Sequence, residues 1–127
     1  MREVAEFARR MPIGAEFIPG RGVHFRVWAP RRKRVDVVLE TGAVALEPDA
    51  GGYFSGWARS ARPGALYRFR LDGREALYPD PVSRFQPEGP HGPSEVIDPG
   101  AFSWTDTGWP GLAPEGQVIY EIHTGTF

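Results

Sequence analysis

Val23-His-Phe-Arg-Val-Trp28, Val35-Asp-Val-Val-Leu-Glu40 and Tyr67-Arg-Phe-Arg-Leu-Asp72 decide the fold class. In each stretch the apolar side chains return at every second position: Val23, Phe25 and Val27, then Val35, Val37 and Leu39, then Tyr67, Phe69 and Leu71. Successive side chains of a strand point to opposite faces, so this period belongs to half-buried antiparallel strands. Working outward, further short strands are expected at residues 15–18, 44–46, 53–58 and 75–78. Pro19-Gly20, Thr41-Gly42, residues 49–52, Pro63-Gly64 and Asp72-Gly73 punctuate them as turns. Asp72-Gly73, set between Leu71 and residues 75–78, is a hairpin signal. Seven strands with turns about every ten residues predict an all-β domain, an immunoglobulin-like β-sandwich without the cysteine pair of a true immunoglobulin domain.

Composition agrees with that class. Thirteen prolines and sixteen glycines among 127 residues suit short strands joined by tight turns. The chain has no cysteine, which leaves neither a disulfide framework nor a thiolate metal site. Its net charge of −1, with fourteen arginines interspersed among acids, makes nucleic acid a poor partner. No stretch approaches the roughly 20 apolar residues of a membrane span, and the N-terminus has no apolar signal-peptide core. The expected location is cytoplasmic.

Both ends of the chain read differently. Residues 1–11 place Val4, Phe7, Ala8 and Met11 at helical spacing, so they are either a short amphipathic helix or a leader preceding a start at Met11. Residues 12–78 form the predicted sandwich. Residues 79–116 are too rich in proline for helix or central strand, yet they carry Val82, Phe85, Phe102, Trp104 and Trp109 at anchoring intervals. They are expected to form an irregular strap over a neighbouring domain, with a brief extended piece at 94–98. Residues 117–127 contain Val118, Ile119, Tyr120 and Ile122 without polar alternation, as in a parallel strand covered on both faces. Parallel neighbours arrive through crossover connections of a dozen or more residues, so this strand is expected to open a larger α/β domain. Alone it would pair with a sheet edge, of its own sandwich or of a second copy.

Gly22-Val-His-Phe-Arg-Val-Trp-Ala-Pro30 followed by Arg34-Val-Asp-Val-Val-Leu39 resembles the opening of the N-terminal β-sandwich of glycogen branching and debranching enzymes in the α-amylase superfamily. Tyr78-Pro-Asp-Pro-Val-Ser-Arg-Phe-Gln-Pro-Glu-Gly-Pro-His-Gly92 and Phe102-Ser-Trp-Thr-Asp106 resemble the segment joining sandwich to barrel, and 118–127 resembles the first strand of a (β/α)8 barrel. The ending His123-Thr-Gly-Thr-Phe127 is most similar to the superfamily's trehalose-releasing hydrolases of malto-oligosyl substrates. The resemblance implies a retaining glycosidase acting on α-1,4-linked glucans without a cofactor, through two carboxyl groups roughly 5–5.5 Å apart. In the family those acids lie at the ends of barrel strands four and five, and no residue here matches them. No catalytic residue is therefore assigned, and the chain's expected partner is its own catalytic barrel.

Several residues invite a functional reading. Glu121 and His123, two apart on the terminal strand, could offer an acid and a base, but barrel packing is the better account, with His123 at most near a sugar subsite. Trp28 and Trp57 could stack on sugar rings, as in glycan-binding modules. Both lie on predicted strands, where burial is commoner for so large a side chain. Isolated glycan binding is accordingly expected to be weak or absent. His24 reads as a surface residue, and His24, His91 and His123 are too scattered to build a metal site. Arg31-Arg-Lys-Arg34 reads as a solvated turn. Three functional classes remain: a structural flank of the barrel, an α-glucan-binding module, or the same architecture in a branching or debranching enzyme.

Overall fold

The structure is a computed structural model that describes residues 7–126. Seven strands form one continuous antiparallel path in the order β1-β2-β5-β4-β3-β6-β7. They are β1 (Gly14–Ile18), β2 (Gly22–Trp28), β3 (Val35–Leu39), β4 (Gly42–Asp49), β5 (Tyr53–Ala58), β6 (Leu66–Leu71) and β7 (Leu77–Tyr78). An eighth, β8 (Ser94–Glu95), pairs with β6. β4 carries the path from one half to the other: Gly42 to Leu46 pair with β3, and Glu47 to Asp49 pair with β5.

The two halves face each other. Phe25 on β2 and Tyr67 on β6 are not sheet neighbours, yet their rings meet edge to face with centroids 4.9 Å apart. Around that contact lie Val23, Val35, Val37, Phe69 and Val96, all essentially without solvent exposure. The apolar alternation read from β2, β3 and β6 thus supplies the core, and an all-β sandwich is the observed class. Truncating a buried Phe such as Phe25 to Ala typically destabilises a domain by about 3–5 kcal/mol.

Asp36 departs from the polar-outside half of that pattern. It is 1% exposed on β3, and its two carboxylate oxygens accept from Arg34 Nε (3.1 Å) and Arg70 Nε (3.2 Å). Both arginines reach it from the sheet surface, and Arg70 is its direct cross-strand partner. A buried carboxylate is tolerated because it is paired and hydrogen-bonded.

The hairpin expected at Asp72-Gly73 is longer than its turn signal implies. β7 contains only Leu77 and Tyr78, paired with Arg70 and Phe69, so Asp72 through Ala76 form the connection. Asp72 takes the left-handed backbone (φ 52°), and its Oδ1 accepts from the backbone amides of Lys33 (2.8 Å) and Arg34 (3.1 Å). The turn is closed by the Arg74 amide donating to the Leu71 carbonyl (3.1 Å), and Asp72 ties it in addition to the loop before β3.

The amphipathic turn expected at residues 1–11 falls partly outside the described residues. Residues 7–13 are irregular, not helical. The amides of Arg10 and Met11 donate to the Glu16 carboxylate (3.2–3.4 Å), and Pro12 follows, so a helix ladder has no chance to start.

The proline-rich segment after β7 lies on its own sandwich through Val96. β8 takes the same edge of β6 as β7, so residues 79–93 run out and back. A buried polar knot pins the loop: Tyr67 Oη donates to Asp80 Oδ2 (2.8 Å), the Val82 amide to Asp80 Oδ1 (2.9 Å), and the Asp80 amide to Ser94 Oγ (3.0 Å). Arg84 reaches the far side of the sandwich, donating to the carbonyls of Ala15 and Ile13. The anchors are thus Asp80, Ser94 and Val96, whereas Phe85 stays half exposed. Phe102, Trp104 and Trp109, expected as further anchors, are 62–71% exposed.

Residues 117–126 form no ladder with the sandwich, and Val118 and Ile119 are about 90% exposed. The strand expected at 117–127, and its addition to the sandwich's own edge, are therefore absent among the described residues; Phe127 lies outside them. A strand needs partners for its backbone groups, and among the described residues no strand pairs with this segment.

Candidate functional site: an open aromatic groove

At the end of β2 the chain turns through Ala29, Pro30 and Arg31 beside the short helical turn 50–52. That junction holds Trp28. Its indole Nε1 donates to the carbonyl of Gly51 (3.1 Å), and the Ala29 amide donates to the carbonyl of Gly52 (2.9 Å). Both glycines have positive φ (74° and 84°), and a Cβ on Gly52 would sit 2.6 Å from Pro30 Cβ. Only glycine allows this approach. The indole edge is thus fixed while its body stays 57% exposed.

Trp28 forms one wall of an open groove of about 450 Å³. Phe69 and Leu71 of β6 line it, and Tyr78, Pro79 and Pro81 border it. Tyr78 is half exposed, so two flat aromatic surfaces border the same concavity. Asp80, between the two prolines, belongs to the buried knot, which holds that border in place. Burial raises the Asp80 carboxyl above its ordinary range, against the opposing bonds from the Val82 amide and Tyr67. Arg31 and Arg32 also line the groove, and Arg32 Nη1 lies 3.6 Å from Asp72 Oδ2.

The lining contains no carboxylate, histidine, serine or threonine. Apart from the Tyr78 hydroxyl, the Trp28 indole and the two arginines, the lining side chains are apolar, which suits a binding surface. The buried carboxylates elsewhere are saturated by their own partners. Glu16 accepts from Arg10 Nε and from two amides; burial alone would raise it, but those bonds hold it below the usual carboxylate range. Among the described residues no group of three or more His, Asp or Glu side chains is placed to hold a metal ion.

The other residues singled out in the sequence fall elsewhere. Trp57 is half buried on β5 within a cluster: the rings of Phe7 and His24 meet it edge to face with centroids 4.7 and 4.9 Å away, and the guanidinium groups of Arg21 and Arg59 lie over it at 5.0 and 4.5 Å. His24, expected on the surface, is half buried in this cluster. Its Nδ1 lies 2.7 Å from Arg9 Nη1, which also donates to the His24 carbonyl. Burial first, and the Arg9 cation next, lower its pKa to about 4. Sequence reading missed this corner because Phe7 and Arg9 lie beyond the strand pattern. His123 is exposed, with Nδ1 3.1 Å from Thr126 Oγ1, and Glu121 is exposed as well; neither approaches the groove or Trp57. Tyr78 escaped notice as a site residue, since only folding brings β7 beside the end of β2.

No family model matches the chain. Malto-oligosyltrehalose trehalohydrolase of Saccharolobus solfataricus is 43% identical over 107 residues, which cover 84% of this chain and 19% of the relative. A 1,4-alpha-glucan branching enzyme of Xanthomonas euvesicatoria is 34% identical over 84% of this chain and 16% of its own length. A crystal structure of a candidate alpha amylase from Salmonella typhimurium superposes with a TM-score of 0.77 at 39% identity, over 91% of this chain and 20% of that one. Among the described residues no helix is long and apolar enough to cross a membrane. The chain spans about a fifth of the length of the curated relatives it matches, and it is homologous to an N-terminal part of malto-oligosyltrehalose trehalohydrolases.

Proposed function

We propose that this chain is the non-catalytic N-terminal region of a glycoside hydrolase that releases trehalose from malto-oligosyltrehalose. In this reading residues 12–78 are a structural flank, 79–116 a connecting strap, and 117–127 the first strand of a (β/α)8 catalytic barrel that supplies both catalytic acids. The single observation carrying the proposal is the match of most of this chain to only a fifth of a trehalohydrolase. The lining of the aromatic groove contains no carboxylate. The protein is read as cytoplasmic. Retaining hydrolysis needs a carboxylate nucleophile and a carboxylic acid on opposite sides of the scissile bond, and the groove provides neither.

The test is direct. Incubated with maltotriosyltrehalose, the 127-residue chain should release no trehalose above buffer, whereas the full-length gene product should release it. Trehalose release by the short chain, abolished in Glu121→Gln, would overturn the non-catalytic reading. A branching enzyme as the parent is the second reading, favoured by the 34% identity to one such enzyme. New branch points in amylose, without trehalose release by the full-length product, would select it.

A further inference from the structure

We propose that Arg84 and Phe85, adjacent in the loop after β7, act as an edge guard: they close β1 and β8 against strand addition and so keep residues 118–122 off their own sandwich. The inference rests on backbone geometry and holds whichever enzyme the parent is.

The strand path has two ends, and each leaves backbone groups that a further strand could use. At one end stands β1, which pairs with β2 alone. The Arg21 amide donates to the Ile18 carbonyl (3.0 Å), so Ile18 faces β2, where its register partner is Gly22. Backbone groups of an antiparallel ladder alternate sides from residue to residue, so Phe17, Ala15 and Ile13 turn theirs outward. Arg84 takes two of these carbonyls: Nη1 donates to Ala15 (3.1 Å) and Nη2 to Ile13 (3.3 Å). A guanidinium thus stands where the amides of a pairing strand would stand. At the other end Val96 turns both its groups toward the start of β6, its amide donating to the Ala65 carbonyl (3.0 Å) and its carbonyl accepting from the Gly64 amide (2.9 Å). Glu95, one residue earlier, therefore faces outward. Its amide donates to the Phe85 carbonyl (2.9 Å), which also accepts from Ser83 Oγ (2.9 Å). Two adjacent loop residues thus give donors to one open edge and an acceptor to the other.

The surroundings hold the guard in place. The Tyr67–Asp80–Ser94 knot pins the base of the loop, and Gly14 leaves room at its tip: a Cβ there would lie 2.8 Å from Arg84 Nη1 and 3.3 Å from Val82 Cγ2. What is kept away belongs to the same chain. Val118, Ile119, Tyr120 and Ile122 form an apolar run of strand length, exposed and without a ladder partner among the described residues. The connection from Val96 to Val118 reaches roughly 70 Å when extended, against roughly 17 Å for a five-residue strand such as β1. Reach does not keep the segment off β1; the occupied carbonyls do. An unpaired segment stays free to join the barrel of the reading above, and only this last consequence rests on that reading.

The experiment compares amide hydrogen exchange, residue by residue in NMR, between the 127-residue chain and Arg84→Met, with light scattering for the mass. Methionine keeps an unbranched apolar stem and removes every donor. In the parent chain the amides of 118–122 should exchange like those of an unstructured peptide, and the mass should be that of a monomer. In Arg84→Met exchange should slow by about tenfold or more within 118–122 and at Ala15 and Phe17, with the mass unchanged. Arg84→Lys, which retains donors for the two carbonyls, should return the parent behaviour. A merely supporting arginine predicts the opposite sign, because its loss would loosen the sandwich and speed exchange. The proposal is overturned if exchange within 118–122 is unchanged or faster in Arg84→Met, if it is already slow in the parent chain, if Arg84→Lys behaves as Arg84→Met does, or if Arg84→Met fails to fold. Slowing that appears only with a doubled mass overturns the same-chain assignment and gives the segment to a second copy. None of these outcomes touches the reading of the parent enzyme, which stands or falls on trehalose release by the full-length product.

Discussion

Trp57 and Trp28 sit on neighbouring strands, and the fold treats them in opposite ways. Trp57 pairs across the ladder with His24, in the body of the sheet, where the N-terminal segment and two arginines close over it. Trp28 is the last residue of β2, paired with Tyr53 beside a double-glycine turn, and nothing closes over it. Strand membership did not separate them. What separated them was whether the adjoining loops delivered covering groups: residues 7–11 at one corner, only Gly51 and Gly52 at the other. A covered tryptophan contributes stability, and a pre-oriented uncovered one is available to a ligand.

Substitution puts that contrast to the test, and the largest effect belongs to the covered ring. Trp57→Ala should destabilise the chain by about 2–3 kcal/mol in urea unfolding, through lost ring packing and two lost cation–π contacts. A change below about 1 kcal/mol would mean that the arginines and Phe7 do not hold it in solution. Tyr67→Phe comes next. It strips Asp80 of a buried donor beneath the groove border and should destabilise by about 1–2 kcal/mol; an unchanged urea midpoint would show that the knot does not fasten the loop.

The third test uses pH. His24 has a folded pKa of about 4 against an ordinary 6.5, so in that window the unfolded chain binds more protons. Its contribution to stability is fully present above pH 6.5 and is lost as pH falls toward 4. Arg9 and Arg26 oppose the charged ring, whereas Glu16 and Asp49 favour it, so the slope reports the whole corner. Asp80, raised by burial, acts with the opposite sign as pH rises above its ordinary 3.8. Comparing the chain with His24→Gln cancels that contribution: the variant should show a flatter loss of stability between pH 6.5 and 4, and parallel curves would refute the assignment. The smallest effect belongs to Trp28→Ala. It loses one exposed hydrogen bond and little packing, and should cost about 0.5–1 kcal/mol. A loss matching that of Trp57→Ala would erase the distinction between the two corners.

The period-two pattern of Val23, Phe25 and Val27, of Val35, Val37 and Leu39, and of Tyr67 and Phe69 determined the sandwich, because a half-buried strand has no other way to hide one face. The resemblance carried by residues 22–39 and 78–92 likewise anticipated the relatives. The rest was decided by contacts between residues far apart in sequence. Arg9 meets His24, Arg84 meets Ala15, and Tyr67 meets Asp80 and, through it, Ser94. No local period encodes such pairings. For the same reason the apolar run at 118–122 reads as a buried strand yet lies exposed: its pattern states what the segment could bury, but burial requires a partner surface, which only tertiary structure supplies. Trp28 and Tyr78 became a site in that way too, through sheet topology that set the end of β2 beside β7 and through two glycines that left the indole open.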